Sequence, residues 1–252
     1  MTHKAKRYLP KRPYSWFPNT FPLACRATSR HHEHVAELLM SILYVDLEHD
    51  RVVNDPATGA SHRTRRDVAE TRLATAAGER CEVVRFDEVS IDRIRTSAPT
   101  AMVISGNTTD WIEYDFAMLV GLLDTIRAAP VPILGICGGH QLIGYAHGAS
   151  WGPLGRLEDG AIDPDPRFAP GLHKERGFLP IDVDPSCVLF KGLGESPVVF
   201  QSHYWHLTDV PTGFRVCARS SDSPIQAIAR QDRPVFGVQF HPERYDDDHR
   251  DG

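Results

Sequence analysis

A cysteine flanked by glycines, at a predicted junction between a strand and a helix, has the clearest chemical potential in this chain. Residues 131–141 read VPILGICGGHQ, with Cys137 at the junction. A nucleophile on such a turn holds a strained backbone, and small neighbours such as Gly135 and Gly139 avoid collisions there. Free N–H groups at the helix start, including that of Gly138, favour a thiolate and can bind an oxyanion. The pattern predicts a nucleophilic cysteine, although a lone cysteine is more often a buried core residue.

A histidine with a carboxylate two residues later supplies the base that such a thiol needs. His241 and Glu243 close the segment QFHPE, directly after an apolar run suited to a buried strand. Glu243 could fix the tautomer of His241 and stabilise its protonated form. Three other histidines compete for this role, but none combines a preceding buried strand with a following carboxylate: His140, His203 and His206.

A third glycine follows another apolar run. Gly106 is the fifth residue of the segment MVISGN (residues 102–107), and its peptide N–H could join that of Gly138 in an oxyanion hole, the alternative being a simple turn glycine. Gly106, Cys137 and His241 each follow the carboxyl end of a predicted parallel strand. Open α/β sheets build their sites at that edge, so we expect the three to meet in one crevice.

The elements that must position these residues follow an α/β pattern. Short apolar, β-branched runs alternate with helical stretches, which predicts an open, mostly parallel doubly wound sheet with a small peripheral antiparallel sheet. Parallel strands are predicted near residues 42–46, 81–86, 101–105, 131–136 and 234–240. Helices are predicted at 64–77 and at 112–128, where Asp110 caps the second and an apolar stripe includes Ile112 and Val120. Shorter strands, expected to be antiparallel and peripheral, are predicted near 178–183, 198–201, 214–218 and 225–230.

Charge divides the chain into two unlike parts. The 252 residues carry a net charge of −5, and seven Lys/Arg against two Glu give residues 1–39 a charge of +5, which leaves −10 for residues 40–252. Residues 1–30 hold four prolines and no acidic residue, so residues 1–39 are predicted to be a poorly ordered basic extension of a domain at 40–252. We expect His31, His32 and His34 to be solvated there rather than metal ligands.

Composition excludes several classes of function. With 41% hydrophobic and 24% charged residues, the chain is typical of globular proteins, and its apolar runs fall short of the roughly 18 residues of a membrane span. Five widely spaced cysteines without a CxxC pair favour a reducing cytoplasm over a disulfide scaffold or a thiolate zinc site. The acidic domain is a poor partner for nucleic acid. We expect no metal and no cofactor.

The two motifs together resemble those of class I, triad-type glutamine amidotransferases. Residues 135–141, GICGGHQ, are similar to the nucleophile signature, and residues 241–243, HPE, to the second signature, in a resemblance that covers residues 40–243. It implies a flavodoxin-like fold in which Cys137 attacks the side-chain amide of glutamine. Ammonia would leave with a proton supplied through His241, and water would hydrolyse the glutamyl thioester. It also implies that Gln141, helped by backbone groups of Ser202 and Tyr204, holds the α-amino and carboxylate groups of the substrate.

Two segments depart from this resemblance. Family members usually continue with a helix after the second signature, whereas residues 244–252 are highly charged and lack a helical stripe, so a closing helix is expected to be absent. Residues 159–174, rich in Asp, Pro and Gly, are interpreted as an insertion near the rim of the site. One further segment, Glu175-Arg-Gly177, does match the family pattern and is expected just ahead of a strand.

Three classes of function remain open at this point. The chain lacks a GxxxxGK[ST] nucleotide-binding loop, so an amidotransferase would pass ammonia to a separate synthase. The leading hypothesis is therefore a glutaminase subunit or a stand-alone amidotransferase. The second is a γ-glutamyl hydrolase that uses the same triad on a γ-glutamyl amide or peptide. The third, a catalytically idle binding module, would not require an intact Cys, His and Glu set.

Overall fold

The computed structural model describes residues 41–251, so the expected basic extension at residues 1–39 lies outside the described residues. Five helices occur in the described part: α1 (Asp50–Val53), α2 (Pro56–Ala77), α3 (Ile91–Ser97), α4 (Val120–Ala128) and α5 (Gly138–Ala146). Its strands are β1 (Ser41–Asp46), β2 (Arg80–Arg85), β3 (Ala101–Ile104), β4 (Ile133–Ile136), β5 (Trp151–Pro153), β6 (Glu175–Pro180), β7 (Asp182–Val183), β8 (Val198–His203), β9 (Trp205–Leu207), β10 (Phe214–Arg219), β11 (Ala227–Arg230) and β12 (Val235–Val238).

An eight-stranded sheet forms the centre of the fold, in the order β2-β1-β3-β4-β12-β11-β10-β7. The first five of these strands run parallel, and the last three continue the sheet antiparallel. Two separate antiparallel pairs, β5 with β9 and β6 with β8, lie outside this sheet. The predicted fold class is therefore confirmed. The predicted placement of β10 and β11 at the periphery is wrong, because β11 pairs with β12 from Ala227 to Ala229 and carries β10 into the central sheet.

Apolar layers cover both faces of the sheet. All six residues of β1 are buried, and they alternate between two clusters: Leu43 and Val45 belong to one, Ile42 and Tyr44 to the other. The first cluster includes apolar residues of α3, α4 and α5, and the second includes Ala69 of α2. A strand buried on both faces needs apolar residues at every position, which explains why the central strands read as continuous apolar runs.

The helix predicted at residues 64–77 begins earlier, and the one predicted at 112–128 begins later. Helix α2 starts at Pro56 because the Asp55 side chain accepts hydrogen bonds from the N–H groups of Ala57 and Thr58, and proline suits the first helical position. Helix α4 starts only at Val120, which is 52% exposed, and Ile112 is 90% exposed, so the predicted stripe is wrong at both residues.

Long-range hydrogen bonds replace the start of the second predicted helix. A short 3₁₀ turn occupies Trp111–Glu113, without a side-chain cap from Asp110. The Trp111 indole donates to Gln141, and the Tyr114 hydroxyl donates to the backbone carbonyl of Leu47. These tertiary contacts outweigh the local helical periodicity.

The segment after the second signature forms no helix. His249 stacks on Phe178 with ring centroids 4.0 Å apart, and the Asp251 carboxylate accepts a hydrogen bond from the N–H of Val198 at 2.9 Å. The C-terminal segment therefore packs against β6 and β8.

Glu175, expected just ahead of a strand, is instead the first residue of β6. Within residues 41–251, no helix has both the length and the apolar character of a membrane span.

Candidate active site

Three neighbouring strands deliver the predicted site residues to one edge of the sheet. Strand β4 lies between β3 and β12, and Gly106, Cys137 and His241 all follow the carboxyl ends of these strands. A Cβ atom placed on Gly106 would lie 3.1 Å from His241 Cε1 and 3.7 Å from Cys137 Sγ. The structure thus brings Gly106, Cys137 and His241 together in one place, as predicted from their positions after parallel strands.

Cys137 occupies the strained turn between β4 and α5. Its φ of 51° and ψ of −105° cost about 1–3 kcal/mol for a non-glycine residue, so surrounding contacts must hold the turn. The Cys137 N–H donates to the carbonyl of Val238 at 2.8 Å, and the Cys137 carbonyl accepts from the N–H of Gln141 at 3.1 Å. Strand β12 and the first turn of α5 together fix the backbone that presents the sulfur.

Glycines around Cys137 let the helix approach the sheet. A Cβ atom on Gly135 would lie 2.4 Å from the Gly139 carbonyl oxygen, and one on Gly139 would lie 2.4 Å from that of Ile104. Both distances are far below van der Waals contact. The Gly-x-Cys-x-Gly pattern is therefore a steric requirement of this turn.

His241 lies between a carboxylate and the nucleophile. Its Nδ1 atom is 2.7 Å from Glu243 Oε1, which leaves Nε2 for the Cys137 side. Burial disfavours the charged ring, but electrostatic interactions and hydrogen bonds with Glu243 and Cys137 outweigh it and raise the pKa of His241 to about 10. The backbone of the motif is held as well: His241 N–H donates to the Phe200 carbonyl at 2.9 Å, and Arg72 donates to the Glu243 carbonyl at 2.7 Å.

The three competing histidines are engaged elsewhere. Burial lowers the pKa of His140 to about 3, which keeps this ring of α5 neutral where it packs against Gly237 of β12. His203 contacts the Glu175 carboxylate at 2.8 Å and the Trp205 carbonyl at 3.0 Å. Burial also lowers the pKa of His206. Among these candidates, only His241 joins the nucleophile to an orienting carboxylate.

The two glycines predicted to form an oxyanion hole both lie beside Cys137. Neither the Gly106 N–H nor the Gly138 N–H has a hydrogen-bond acceptor among residues 41–251. A Cβ atom on Gly138 would lie 1.8 Å from Asn107 Oδ1, so the loop after β3 packs directly over the start of α5. Both groups are free to donate to a developing oxyanion.

The three residues expected to hold the substrate line a narrow cleft beside Cys137. Gln141 is buried: its Oε1 accepts from the Trp111 indole at 2.7 Å, and its Nε2 donates to the Trp205 carbonyl at 2.8 Å and to Gln239 Oε1 at 3.1 Å. The Ser202 hydroxyl accepts from Arg176, and the Tyr204 hydroxyl donates to Asp110. All three side chains therefore already have protein partners.

Gln239 is a site residue that sequence reasoning missed. Its Nε2 donates to Cys137 Sγ at 3.6 Å, and its Oε1 accepts from Gln141, so it connects the nucleophile to the cleft floor. A signal was available in the sequence, because Gln239 lies two residues before His241. Side chains two apart on an extended strand point to the same face.

Two adjoining clefts meet at the predicted catalytic residues. The narrow one, of about 40 Å³, includes Cys137 in its lining, whereas a larger one, of about 380 Å³, is lined by His241 and Glu243. Four residues line both clefts: Asn107, Thr108, Phe168 and Ser202. No group of three or more potential metal-binding side chains occurs among the described residues.

Comparison with known proteins identifies the family. The family model described as glutamine amidotransferase class-I matches residues 69–251, which is well over half of the chain. This chain belongs to the class I glutamine amidotransferases. Among its relatives, the glutamine-hydrolysing GMP synthase of Lactobacillus gasseri is 34% identical over 157 residues, and that of Rhizobium etli is 32% identical over 175 residues. These matches cover 62% and 68% of this chain but only 26% and 30% of the two relatives.

Solved structures share the fold of this amidotransferase. A protein of Thermoplasma acidophilum, described as one subunit of a GMP synthase, superposes with a TM-score of 0.59 at 25% identity, covering 82% of this chain and 85% of that one. A glutamine amidotransferase of Thermotoga maritima superposes with a TM-score of 0.56 at 16% identity, covering 82% and 77%. The predicted resemblance and enzyme class are confirmed.

In this amidotransferase, the segment interpreted as an insertion lies on the rim of both clefts and is organised by a buried ammonium. The Lys174 side chain is fully buried. Its Nζ is held by four oxygens, the carboxylate of Asp163 and the carbonyls of Asp165, Phe168 and Ala169. The Phe168 ring meets the Tyr204 ring edge-on, with centroids 5.3 Å apart. Lys174 thereby positions the aromatic residue that separates the clefts.

Proposed function

We propose that this amidotransferase hydrolyses the side-chain amide of glutamine through a triad of Cys137, His241 and Glu243. The observation that carries the proposal is the pairing of His241 with Glu243 beside the strained Cys137, at the adjoining ends of β4 and β12. A nucleophile, a base and a group that orients the base are the parts that covalent amide hydrolysis requires.

The reaction follows from this arrangement in two steps. The Cys137 thiolate attacks the amide carbon, and the N–H groups of Gly106 and Gly138 donate to the oxygen that becomes negative. The carbon–nitrogen bond then breaks, and protonated His241 supplies the proton with which ammonia leaves, so a glutamyl thioester remains on Cys137. His241, now neutral, accepts a proton from water, which attacks the thioester and releases glutamate and the thiol.

We assign the recognition of the α-amino and carboxylate groups to Gln141 and to backbone groups of Ser202 and Tyr204. Their position supports this assignment, since all three line the narrow cleft together with Cys137. The hydrogen bonds of the Gln141 side-chain amide indicate a second, positioning role for this residue. By holding Gln239, which donates to the sulfur, Gln141 fixes the distance between the recognition site and the nucleophile.

We further propose that a separate synthase receives the ammonia. The support is that the relatives are named GMP synthase and that the similar Thermoplasma acidophilum protein is described as one subunit of a GMP synthase. Hydrolysis of other γ-glutamyl amides is a second candidate. The larger cleft favours it, because it adjoins His241 and is much roomier than ammonia requires.

Glutamate release from glutamine tests the proposed function. The wild-type chain, alone or with a candidate synthase, should release glutamate and ammonia in equal amounts, and Cys137→Ala should reduce the rate at least about a thousandfold. Cys81→Ala is the matched control, because Cys81 is a partly buried cysteine on β2, remote from the crevice. Equal activity of wild type and Cys137→Ala would refute the triad, as would an absence of hydrolysis of glutamine and of every γ-glutamyl amide tried.

A further inference from the structure

The larger cleft carries positive charge that the proposed reaction on glutamine does not use. Four arginines line it: Arg65, Arg66, Arg72 and Arg244. Two of them have evident partners, since Arg66 pairs with Asp67 and Arg72 donates to the Glu243 carbonyl and stacks over Tyr245. The remaining two, Arg65 and Arg244, make no ion pair with any carboxylate among residues 41–251.

Arg65 and Arg244 are held in place by other means. Arg65 donates to the Ser61 hydroxyl at 2.7 Å, and the Arg244 guanidinium stacks over the Phe200 ring, 3.7 Å from its centroid. Arg244 is exposed as a whole residue. Partial desolvation of its guanidinium, with the like charges of Arg176 and Arg65, lowers its pKa, although Glu243 opposes this effect. Cations that repel one another in a concave site are stabilised when an anion joins them.

The acidic residues of the same cleft do not supply that anion. Glu48 is buried and accepts hydrogen bonds from Thr108 and Thr109, Glu243 pairs with His241, and Asp246 pairs with His249. The aromatic lining offers no negative charge either; it consists of Tyr44, Phe168, Phe178, Phe200 and Tyr245. Each carboxylate of the cleft therefore has a partner other than these two arginines, and the second oxygen of Glu243, Oε2, makes no hydrogen bond among residues 41–251.

The position of the cleft indicates which part of a substrate would enter it. Cys137 lines the narrow cleft, which places the acyl group there, whereas His241 lines the larger one. His241 protonates the leaving nitrogen, so that nitrogen must lie on the His241 side of the scissile bond. Any substituent on the nitrogen then extends into the larger cleft, whose volume of about 380 Å³ is typical of small-molecule sites.

We infer that the larger cleft binds the amine portion of a second substrate class, γ-glutamyl amides whose amine carries a carboxylate, with Arg65 and Arg244 holding that carboxylate. This inference rests on the proposed triad and extends it beyond glutamine. The Cys137 thiolate attacks the γ-carbonyl carbon, the carbon–nitrogen bond breaks, and the amine leaves with a proton from His241. Water then converts the thioester into glutamate and the free thiol, so an amino acid is released in place of ammonia.

A pair of substrates that differ only in charge tests this inference. γ-Glutamylglycine carries a carboxylate where γ-glutamylglycinamide carries a neutral amide of nearly the same size. Wild type should cleave the charged member with a kcat/KM about tenfold higher, the effect of a partly exposed charge-assisted contact. Arg244→Gln and Arg65→Gln should each remove most of this preference, and Arg244→Lys should keep much of it. Arg63→Gln, an exposed arginine of α2 outside the cleft lining, is the matched control.

Each result separates this inference from the proposed function. Equal cleavage of both amides by wild type, or hydrolysis of glutamine alone, overturns the inference and leaves the glutaminase reaction intact. An equal loss for glutamine and γ-glutamylglycine in Arg244→Gln also overturns it, since the arginine would then serve the glutamyl part. Failure to cleave any of the three substrates defeats the triad itself.

Discussion

The negative charge of Glu243 favours the protonated ring of His241, the proposed catalytic base. The pKa of His241 is raised from 6.5 to about 10 against the effect of burial, so the ring is protonated at neutral pH in the free protein. A group whose pKa is raised on folding stabilises the folded state fully below the unfolded pKa. That contribution is lost as the pH rises through the folded value. The relevant window is therefore pH 6.5 to about 10.

Glu243→Gln should lower the pKa of His241 toward its ordinary value, because the main charge favouring the imidazolium is removed. NMR titration of the His241 ring measures this shift directly. The variant should also lose wild type's extra stability at pH 6.5 relative to pH 10 in urea unfolding, and kcat for glutamine should fall roughly a hundredfold. Glu113→Gln, which removes a partly exposed carboxylate paired with Arg51, should change none of these properties. An unchanged titration of His241 in Glu243→Gln would contradict the assignment.

Gly106→Ala tests how closely the backbone after β3 packs against Cys137 and His241. An added methyl would lie 3.1 Å from His241 Cε1 and 3.2 Å from Cys137 Cβ, so Gly106→Ala should push both catalytic groups out of line. We expect kcat for glutamine to drop at least about tenfold with a small change in melting temperature. Gly152→Ala is the matched control, since its methyl would meet nothing closer than 3.7 Å. Full activity of Gly106→Ala would exclude crowding of the site by this methyl.

At the scale of elements, sequence patterns predict the strands and helices whose positions depend on their own residues rather than on distant contacts. Strands β1 and β4 were predictable because strands buried on both faces read as apolar runs. The late start of α4 was not predictable, because Trp111 and Tyr114 form hydrogen bonds with residues far away in the chain. The site divides in the same way. The position of each motif after a predicted parallel strand predicts the meeting of Cys137 and His241. No such pattern marks Arg65 and Arg244, which lie 179 positions apart and share a cleft only after folding.

The conformation of the rim segment, residues 159–174, depends on the ammonium group of Lys174. A hydrogen bond from Lys174 holds the pKa of Asp163 below its usual range, and Lys174→Met would leave that carboxylate and three carbonyls without their shared donor. Phe168 should then be released, so chymotrypsin should cleave after Phe168 at least about tenfold faster, as mass spectrometry of the fragments would show. KM for glutamine should rise several-fold. Lys191→Met, at an exposed lysine, is the control, and resistance of Lys174→Met to cleavage would show that other contacts hold the rim.

At the scale of the whole molecule, the positions of the proposed catalytic residues depend on one continuous sheet. Cys137 follows β4 and His241 follows β12, and β12 also pairs with β11 in the antiparallel part. The two apolar clusters share the strands of this sheet, so neither cluster can open without uncovering the other.

The parallel and antiparallel parts should therefore unfold together. Urea unfolding followed by the fluorescence of the tryptophans near the cleft should share its midpoint with the exposure of Cys187 and Cys217 to a thiol reagent. Both cysteines are buried and free in the folded protein, and they lie in the cluster that includes antiparallel strand residues. A Cys187→Ala and Cys217→Ala double variant gives the background labelling. Labelling of these cysteines at lower urea than the fluorescence change would mean that the antiparallel edge opens first, with β12 and the catalytic histidine held by the parallel strands alone.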